Sequence, residues 1–469
     1  MQRLEEILVA LAAAVAAAPG FAELRFVRRR LSTYLVRDGT VAVAECSDVA
    51  GVHVAVVHRG VRGRAVAERI EALSLRKAID RAHDNARAAA GRVEGGVRSV
   101  PERPCASLAQ GIYEHPGVRE LAALPSAARV GAILSLAADA RRQSTRLATV
   151  IARYRELIEE VAVVSSDGAR AAQRLARPDA VLMLMASDAG ATATLSSGAG
   201  VAGGWTALWE HPDVAALAET AVPRCVDLLR APSPASGRSV VVLAPSLAGL
   251  LCHEAVGHVL ERDCVHEASI AYGGRGARIG SERVTVIDAG VVDDDRAAGT
   301  LQFDDEGVLS RPVDLVTEGR IAGYLHDSAS AAFDGDALTG NARSWACTDV
   351  PLVRMRNTYL RPGDATVDEL VGGLRSGYVF AGSGSGQAEA NGTIVLTAPY
   401  GWRVERGRRV ELVRGTALVG YAADVLTSVD AVASDLAWAM GIDFCEKGGQ
   451  RARVDAGGPH VRCTMEVRA

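Results

Sequence analysis

The sequence predicts an α+β protein. An N-terminal α/β domain with hairpins and long helices is expected over residues 1–231, and a β-rich C-terminal domain, built around one helix dense in His and Glu, over residues 238–469. Three observations carry this expectation. Apolar residues fill 49% of the 469 positions and charged ones 23%, a balance that supports sizeable cores in a chain long enough for two to four domains. Helical and strand periodicities alternate in the first half, until the Pro-Ser-Pro-Ala-Ser-Gly run at 232–237 breaks the composition. Short β-branched segments punctuated by glycine dominate the second half.

The elements are taken in chain order. Ile7–Ala18 is an Ala-rich apolar run, too short to span a membrane. Glu5 and Glu6 stand where a secretory signal needs positive charge, so the run reads as a first helix. Phe21–Val36 and Thr40–Val57 carry β-branched residues on either side of Asp38-Gly39, a hairpin pattern. Ser74–Ala90 places Leu75, Ala78, Ile79 and Ala82 at helical spacing. Gly91–Pro125 reads as a connection. Ser126–Glu160 reads as the longest helix, from Val130, Ile133 and Ala137 through Leu147, Ile151, Tyr154 and Ile158. Ser165-Ser166-Asp167-Gly168 is a turn between strands, and Ala180–Leu195 and Val201–Leu208 add β segments. In the second half, Val240–Leu243 is a buried strand, Leu247–Leu260 a helix, Val404–Val410 a hairpin turning at Gly407, and Ser428–Ala439 a last helix. No internal repeat is evident.

Composition excludes several classes. A formal charge of −4 and 4% aromatics argue against a nucleic-acid binder, which needs basic surface and stacking platforms. No run approaches the roughly 20 apolar residues of a membrane span. The eight Cys are dispersed without paired spacing, so the expectation is reduced thiols in a soluble, cytoplasmic protein rather than a disulfide scaffold.

The chemistry concentrates in Leu251-Cys252-His253-Glu254-Ala255-Val256-Gly257-His258-Val259-Leu260-Glu261. Two His and a Glu in an apolar helix are costly to bury without a reason. A zinc ion supplies one: neutral imidazoles bind it, and the neighbouring carboxylate takes a proton from a water that the ion polarises. The His are five apart, however, which on an ideal helix turns the second about 140° from the first. Both reach one ion only if the helix is distorted, and Gly257 marks the place where a π-type bulge costs least. A third protein ligand is required. By residue type Cys445, His460, Cys463, His326, Asp263, Cys264 and His266 all qualify, and spacing alone does not choose among them. Cys252 and Cys264 also suit small core residues. Asp293-Asp294-Asp295 reads as a solvated turn, Gly273–Gly276 and Gly382–Gly386 as loops without a phosphate-binding ending, and Arg28-Arg29-Arg30 as a solvated strand face.

The segment 251–261 resembles the signature of the TldD/PmbA metallopeptidase family, in its metal-bearing TldD-type branch. Asp304-Asp305-Glu306-Gly307, Gly319–Tyr324, Thr339–Arg343, Met355–Tyr359, Gly386-Gln387 and Cys445-Glu446-Lys447-Gly448-Gly449-Gln450 come in family order, so the resemblance runs essentially the full length. It implies that His253, His258 and Cys445 bind zinc and that Glu254 is the general base of a peptidase. It further implies a partner, either a related metal-free TldE/PmbA-type subunit or a second copy, and an extended, unfolded peptide as substrate. Departures at Ser344-Trp345-Ala346-Cys347, Gly382–Asn391 and the C-terminal end leave the expected zinc set intact. They keep two other readings open: a biosynthetic hydrolase of a small amide or peptide-like conjugate, and a non-catalytic regulatory partner.

Overall fold

The computed structural model describes residues 4–91, 103–264, 273–294, 296–389, 391–438, 441–442 and 444–469. Helix α1 (Leu4–Ala16) leads into the antiparallel strands β1 (Ala22–Arg37), β2 (Thr40–His58) and β3 (Val61–Ala67), then helix α2 (Ala72–Ala90). Asp38 and Gly39 hold φ of 50° and 79°, the left-handed pair that matches a two-residue turn to the twist of its strands. After β4 (Gln110–Glu114) and α3 (Gly117–Ala123), the order recurs as α4 (Ser126–Gln143), β5 (Leu147–Ser165), β6 (Arg170–Asp188) and β7 (Ala191–Gly200). Helices α5 (Trp205–Trp209), α6 (Pro212–Ala215) and α7 (Leu217–Asp227) complete it. Two helix–three-strand–helix units therefore share one sheet, joined where β1 and β5 pair antiparallel. This repeat of topology is invisible in the residues, because each unit fills its core with different side chains.

The sheet's two faces follow from strand alternation. Leu24, Phe26, Val52 and Val54 lie under α1 and α2, and Tyr34, Ala152 and Leu182 lie under α4 and α7. The other face is buried and polar. Arg177 Nε and Nη2 donate to the Ala298 and Thr300 carbonyls, both at 2.7 Å, and Gln173 Nε2 donates to the Phe303 carbonyl at 2.8 Å. Arg177 also pairs with Glu159, which keeps its charge compensated inside the protein. This face carries the C-terminal half of the chain.

Several sequence expectations are corrected. The helix expected over Ser126–Glu160 ends at Gln143, and Leu147, Ile151, Tyr154 and Ile158 belong to β5. Glu156–Ser165 is buried throughout, between β1 and β6. Burial alternates from Val150 to Arg155, but from Glu156 the strand is covered on both faces and needs no period-2 pattern, so its apolar residues there also continue a helical one. Val201–Leu208 is not a strand but leads into α5. Ser428–Ala439 is not a helix; the helix precedes it at Ala422–Thr427. The backbone of this segment is captured by neighbours instead: Ala433 N–H donates to the His460 carbonyl and Ser434 N–H to the Ala365 carbonyl. The connection over Gly91–Pro125 holds α3 and also β4, which pairs parallel to β6. Arg28 is solvated beside Asp48, but Arg29 points to the opposite face, where it is buried against Glu159 and the Ser344 carbonyl.

In the C-terminal half, β8 (Gly237–Leu243) joins strands Ser376–Ala381, Thr393–Glu405, Arg408–Tyr421 and Val461–Arg468. Ser376–Ala381 pairs with both β8 and Thr393–Glu405, so these five strands close into a barrel without free edges. A short strand, Gly386–Ala388, is added outside the ring on Thr393–Glu405 alone. A second sheet carries Val286–Ala289, Asn357–Leu360 and Asp455–Gly458. Between the two runs helix α8 (Pro245–Cys252), with Gly249 packed directly on the Ala456 backbone.

One titrating group locks the two halves together. His53 is buried on β2 with Nδ1 3.1 Å from the Cys347 carbonyl. Burial, followed by the charge of Arg25, pushes its pKa from 6.5 down to about 3, so it is neutral in the folded protein. The unfolded chain then binds more protons between those two values, and stability is lost as pH falls from about 6.5 toward about 3. We expect the thermal midpoint of the native protein to drop more steeply over this window than that of His53→Gln. Parallel melting curves for the two proteins would refute this.

Candidate metal centre

α8 does not continue as an α-helix through the His-Glu segment. It passes into a π-turn at His253–Gly257, where the His258 N–H donates to the His253 carbonyl, and then into a 3-10 turn at His258–Leu260. The i+5 hydrogen bond of a π-turn places residues five apart one above the other. The bulge expected from the spacing is therefore present. Gly257 has an ordinary helical φ of −58°, so its role is space rather than conformation. A Cβ there would lie 1.9 Å from Met355 Sδ.

The π-turn brings the two imidazoles together, edge to face, with ring centroids 4.7 Å apart. The third group comes from a hairpin, Phe444–Lys447 paired with Gln450–Arg453, which turns through Gly448 and Gly449 at φ of 57° and 74°. Its buried Cys445 points Sγ at His258 Nε2, 3.3 Å away. One donor atom each from His253, His258 and Cys445 lies within 4.8 Å of the others. Arg354 fixes the hairpin by donating Nη2 to the Cys445 carbonyl and Nη1 to the Gln450 carbonyl.

Two imidazoles and a thiol fit a borderline-soft cation. Burial pushes the Cys445 thiol up, but the neighbouring His253 and His258 outweigh it and bring its pKa down to about 4, so it is a thiolate at neutral pH. Burial opposes charge on His258, yet its hydrogen bonds to Cys445 and Glu261 raise its pKa well above 6.5. A proton on His258 thus sits between a thiolate and a carboxylate, at a place where a bound cation would replace it. Nδ1 of His253 is buried without a hydrogen-bond partner among the described residues. Glu254 follows His253 in the chain and is 8% exposed, and a Cβ on Gly386 would collide with its Cγ at 2.7 Å.

Sequence reasoning missed two residues here. Glu261 is fully buried, with Oε2 3.3 Å from His258 Nδ1 and 2.8 Å from Lys447 Nζ. Lys447 also donates to Asp263 at 2.6 Å and to the Val353 carbonyl at 3.0 Å. This chain of contacts orients the imidazole so that Nε2 faces Cys445, and it ties the hairpin to the helix. Burial raises the Glu261 pKa, but the hydrogen bond from His258 and the charge of Lys447 hold it down at about 2. The available signal was Lys447 itself, one of only two Lys in the chain. Partners of this kind are worth about 10–100-fold in metal affinity. Glu261→Gln is therefore expected to weaken metal binding by about that factor, read by competition with a chelator. Unchanged affinity would remove Glu261 from the site.

The remaining candidates lie elsewhere. His460 bonds to Asp435 at 2.7 Å, and Cys463 is buried in strand Val461–Arg468, where desolvation lifts its pKa to about 12. Cys252 is likewise buried, with its pKa raised to about 12. Cys264 lies with Glu261 and Asp263, but Lys447 already occupies that group. His326 is buried with Asp334 and Asp336, whose carboxylates engage Arg262 and Arg275. Asp327 caps helix Ser328–Asp334. His266 and Asp295 lie outside the described residues. Asp294 pairs with Arg296 in an exposed turn. At the divergent position Ser344, the N–H and Oγ both donate to Asp305 Oδ2, at 2.7 and 2.6 Å.

Comparison with known proteins shows the family. Residues 236–468 match the model of the PmbA/TldA metallopeptidase C-terminal domain, and residues 119–229 match that of the central domain. A metalloprotease of Methanothermobacter thermautotrophicus is 31% identical over 94% of each chain. A zinc metalloprotease TldD homolog of Saccharolobus solfataricus is 34% identical over 51% of this chain and 53% of its own. The crystal structure of TldE from Thermococcus kodakarensis shares the fold, with a TM-score of 0.75 at 16% identity over 99% of each chain. Among the described residues, no single helix is long and apolar enough to cross a membrane.

Proposed function

Because this chain belongs to the TldD/PmbA metallopeptidase family, we propose that it is a zinc-dependent peptidase whose metal is held by His253, His258 and Cys445. The convergence of those three side chains, two from the π-turn's ends and one from the Phe444–Lys447 hairpin, with Glu254 within the same π-turn, carries the reading. Bound zinc supplies Lewis acidity to a water and to the substrate carbonyl. Glu254, next to His253 in the chain, would accept the water's proton and deliver it to the leaving amine. Glu261 and Lys447 keep His258 oriented throughout.

Strand Gly386–Ala388 supplies the substrate register. It packs over Glu254, pairs on one side with Thr393–Glu405, and has no partner among the described residues on the other. An extended peptide or peptide-like chain adds to that edge through backbone hydrogen bonds, which favours unfolded substrates over folded ones. A related chain, metal-free as in TldE or a copy of this one, covers the cleft. The units 1–231 and 238–469 act as its two domains, and the free cysteines suit a reducing cytoplasm.

The test combines metal analysis with digestion. Purified protein should hold about one zinc per chain and degrade a denatured polypeptide faster than its native form, and a chelator should stop it until zinc is returned. Equal digestion of both forms would sink the strand-addition reading. Digestion that persists without metal would sink the zinc reading.

A further inference from the structure

We propose that the cavity where the end of the N-terminal sheet meets the barrel is a subsite for one bulky apolar side chain of the peptide, about three to four residues along from the residue that lies over Glu254. This rests on the peptidase reading above and adds a substrate class to it: unfolded peptides with a large aliphatic or aromatic residue at that distance.

The strand edge beside Glu254 leads to the cavity. At the start of α8, Ser246 Oγ donates to the Gly382 carbonyl at 2.9 Å. A Cβ on Gly384 would lie 3.1 Å from Leu247 Cδ2, and one on Gly386 would lie 2.9 Å from Leu250 Cγ and 2.7 Å from Glu254 Cγ. Gly382–Gly386 therefore runs along α8 from its first turn to the metal centre. Hydrogen-bond parity decides which backbone groups are free. Glu389 N–H donates to the Thr393 carbonyl and Thr397 N–H to the Ser385 carbonyl, so residues 385, 387 and 389 bond to strand Thr393–Glu405. Gly386 and Ala388 turn their N–H and C=O groups the other way, where they meet no partner among the described residues. A peptide paired with that edge and continuing past Gly386 reaches Ser383 three residues on, after roughly 10 Å of extended chain.

The sheet changes character where that path ends. On the face turned to the C-terminal half, Arg153, Arg155, Arg177 and Asp179 give way to Ile151, Met183 and Met185, with Ile151 directly opposite Met183. Together with Leu228 and Pro399 these three line a cavity of about 680 Å³, and Ser383 borders it. Ile151, Met183 and Met185 are only half-buried, so the cavity is open rather than sealed. Packing gaps of this size are foreign to protein interiors, whereas apolar ligand sites have this volume and lining. Arg414, the charged residue on the wall, spends Nε and Nη2 on the Ala231 and Leu229 carbonyls. Two flexible, polarisable Met side chains let the cavity adapt to apolar groups of different shape. Ser383 also borders a second cavity, but that one carries Asp213, Asp293 and Asp294. A large apolar side chain goes to the first, because against carboxylates it would cost them their hydration.

The experiment compares two short unfolded peptides of Ala and Ser that differ at one position, Phe in one and Ala in the other. On the full-length, zinc-loaded Glu254→Gln chain, fluorescence anisotropy should show the Phe peptide bound about 10-fold tighter, the lower end of what burying a Phe side chain contributes, as fits an open cavity. With the six Met labelled at their methyl groups, the signals of Met183 and Met185 should move with the Phe peptide, while that of Met465, buried in the barrel, stays in place. Thr194→Trp, at an exposed position of β7 opposite Met185, should fill the cavity and bring the two peptides to equal affinity. The native chain should cut the Phe peptide on one side of Phe only, about three to four residues away. Equal affinity of the two peptides, unmoved Met183 and Met185 signals, or a Phe preference that survives Thr194→Trp would overturn the proposal. Should the Phe preference and the methyl shifts appear while the native chain cuts neither peptide, the subsite stands and the peptidase reading falls. A native chain that cuts both peptides equally well at scattered bonds keeps the peptidase reading and loses the subsite.

Discussion

Glu254→Gln should lower turnover by about 10²–10⁴-fold while the metal stays bound, the range that a positioned general base contributes. The substitution keeps the size of a side chain that is buried, belongs to the π-turn and is packed against Gly386, so neither the π-turn nor the barrel is disturbed. What it removes is the ability to accept a proton. The measurement is kcat on a denatured polypeptide alongside metal content. Full activity with Gln at this position would move the base elsewhere, and a parallel loss of metal would make Glu254 structural.

Cys445→Ala should lose most of the metal. The thiolate is the only anionic donor among His253, His258 and Cys445, and its charge is what would draw a cation to the site. Even outer partners of a ligand are worth about 10–100-fold in affinity, so removal of the ligand itself should exceed that. Cobalt exchanged into the native protein should show a thiolate charge-transfer band that the variant lacks. Retention of full zinc by Cys445→Ala would break the assignment; among the described residues Cys463 and Cys252 are buried with their pKa raised to about 12, and Cys264 shares its surroundings with Lys447. The two experiments separate binding from chemistry, since one removes metal and the other only a proton acceptor.

Much of this was legible in the residues. Asp38-Gly39 specified its hairpin because only left-handed residues close a two-residue turn, and that requirement is local. The five-residue spacing of His253 and His258, set against a 3.6-residue helix, required a distortion before any coordinates were known, and the π-turn supplies it. The resemblance of the 251–261 and 445–450 segments to one family pointed to Cys445. Residue type alone could not separate it from Cys463, Cys264 or His460.

Where the sequence failed, the deciding interactions were not local. Leu147–Ile158 matches a helical period, yet it lies between β1 and β6; its burial alternates as a strand's does only as far as Arg155, and from Glu156 both faces are covered, so the period-2 signal stops while the apolar residues continue. Arg29 reads as a solvated charge beside Arg28 and Arg30. Its partners, Glu159 and the Ser344 carbonyl, come from 130 and 315 residues away. Glu261 and Lys447 are 186 residues apart and meet only because the hairpin folds back onto the helix. The turns, the bulged helix and the kinds of side chain at the metal centre were all readable from the residues, because each rests on the conformational limits or chemistry of a few adjacent positions. Which charges are buried and paired, and which strand edges stay open, came only from the folded chain, because those depend on distant neighbours that satisfy a charge or a backbone hydrogen bond.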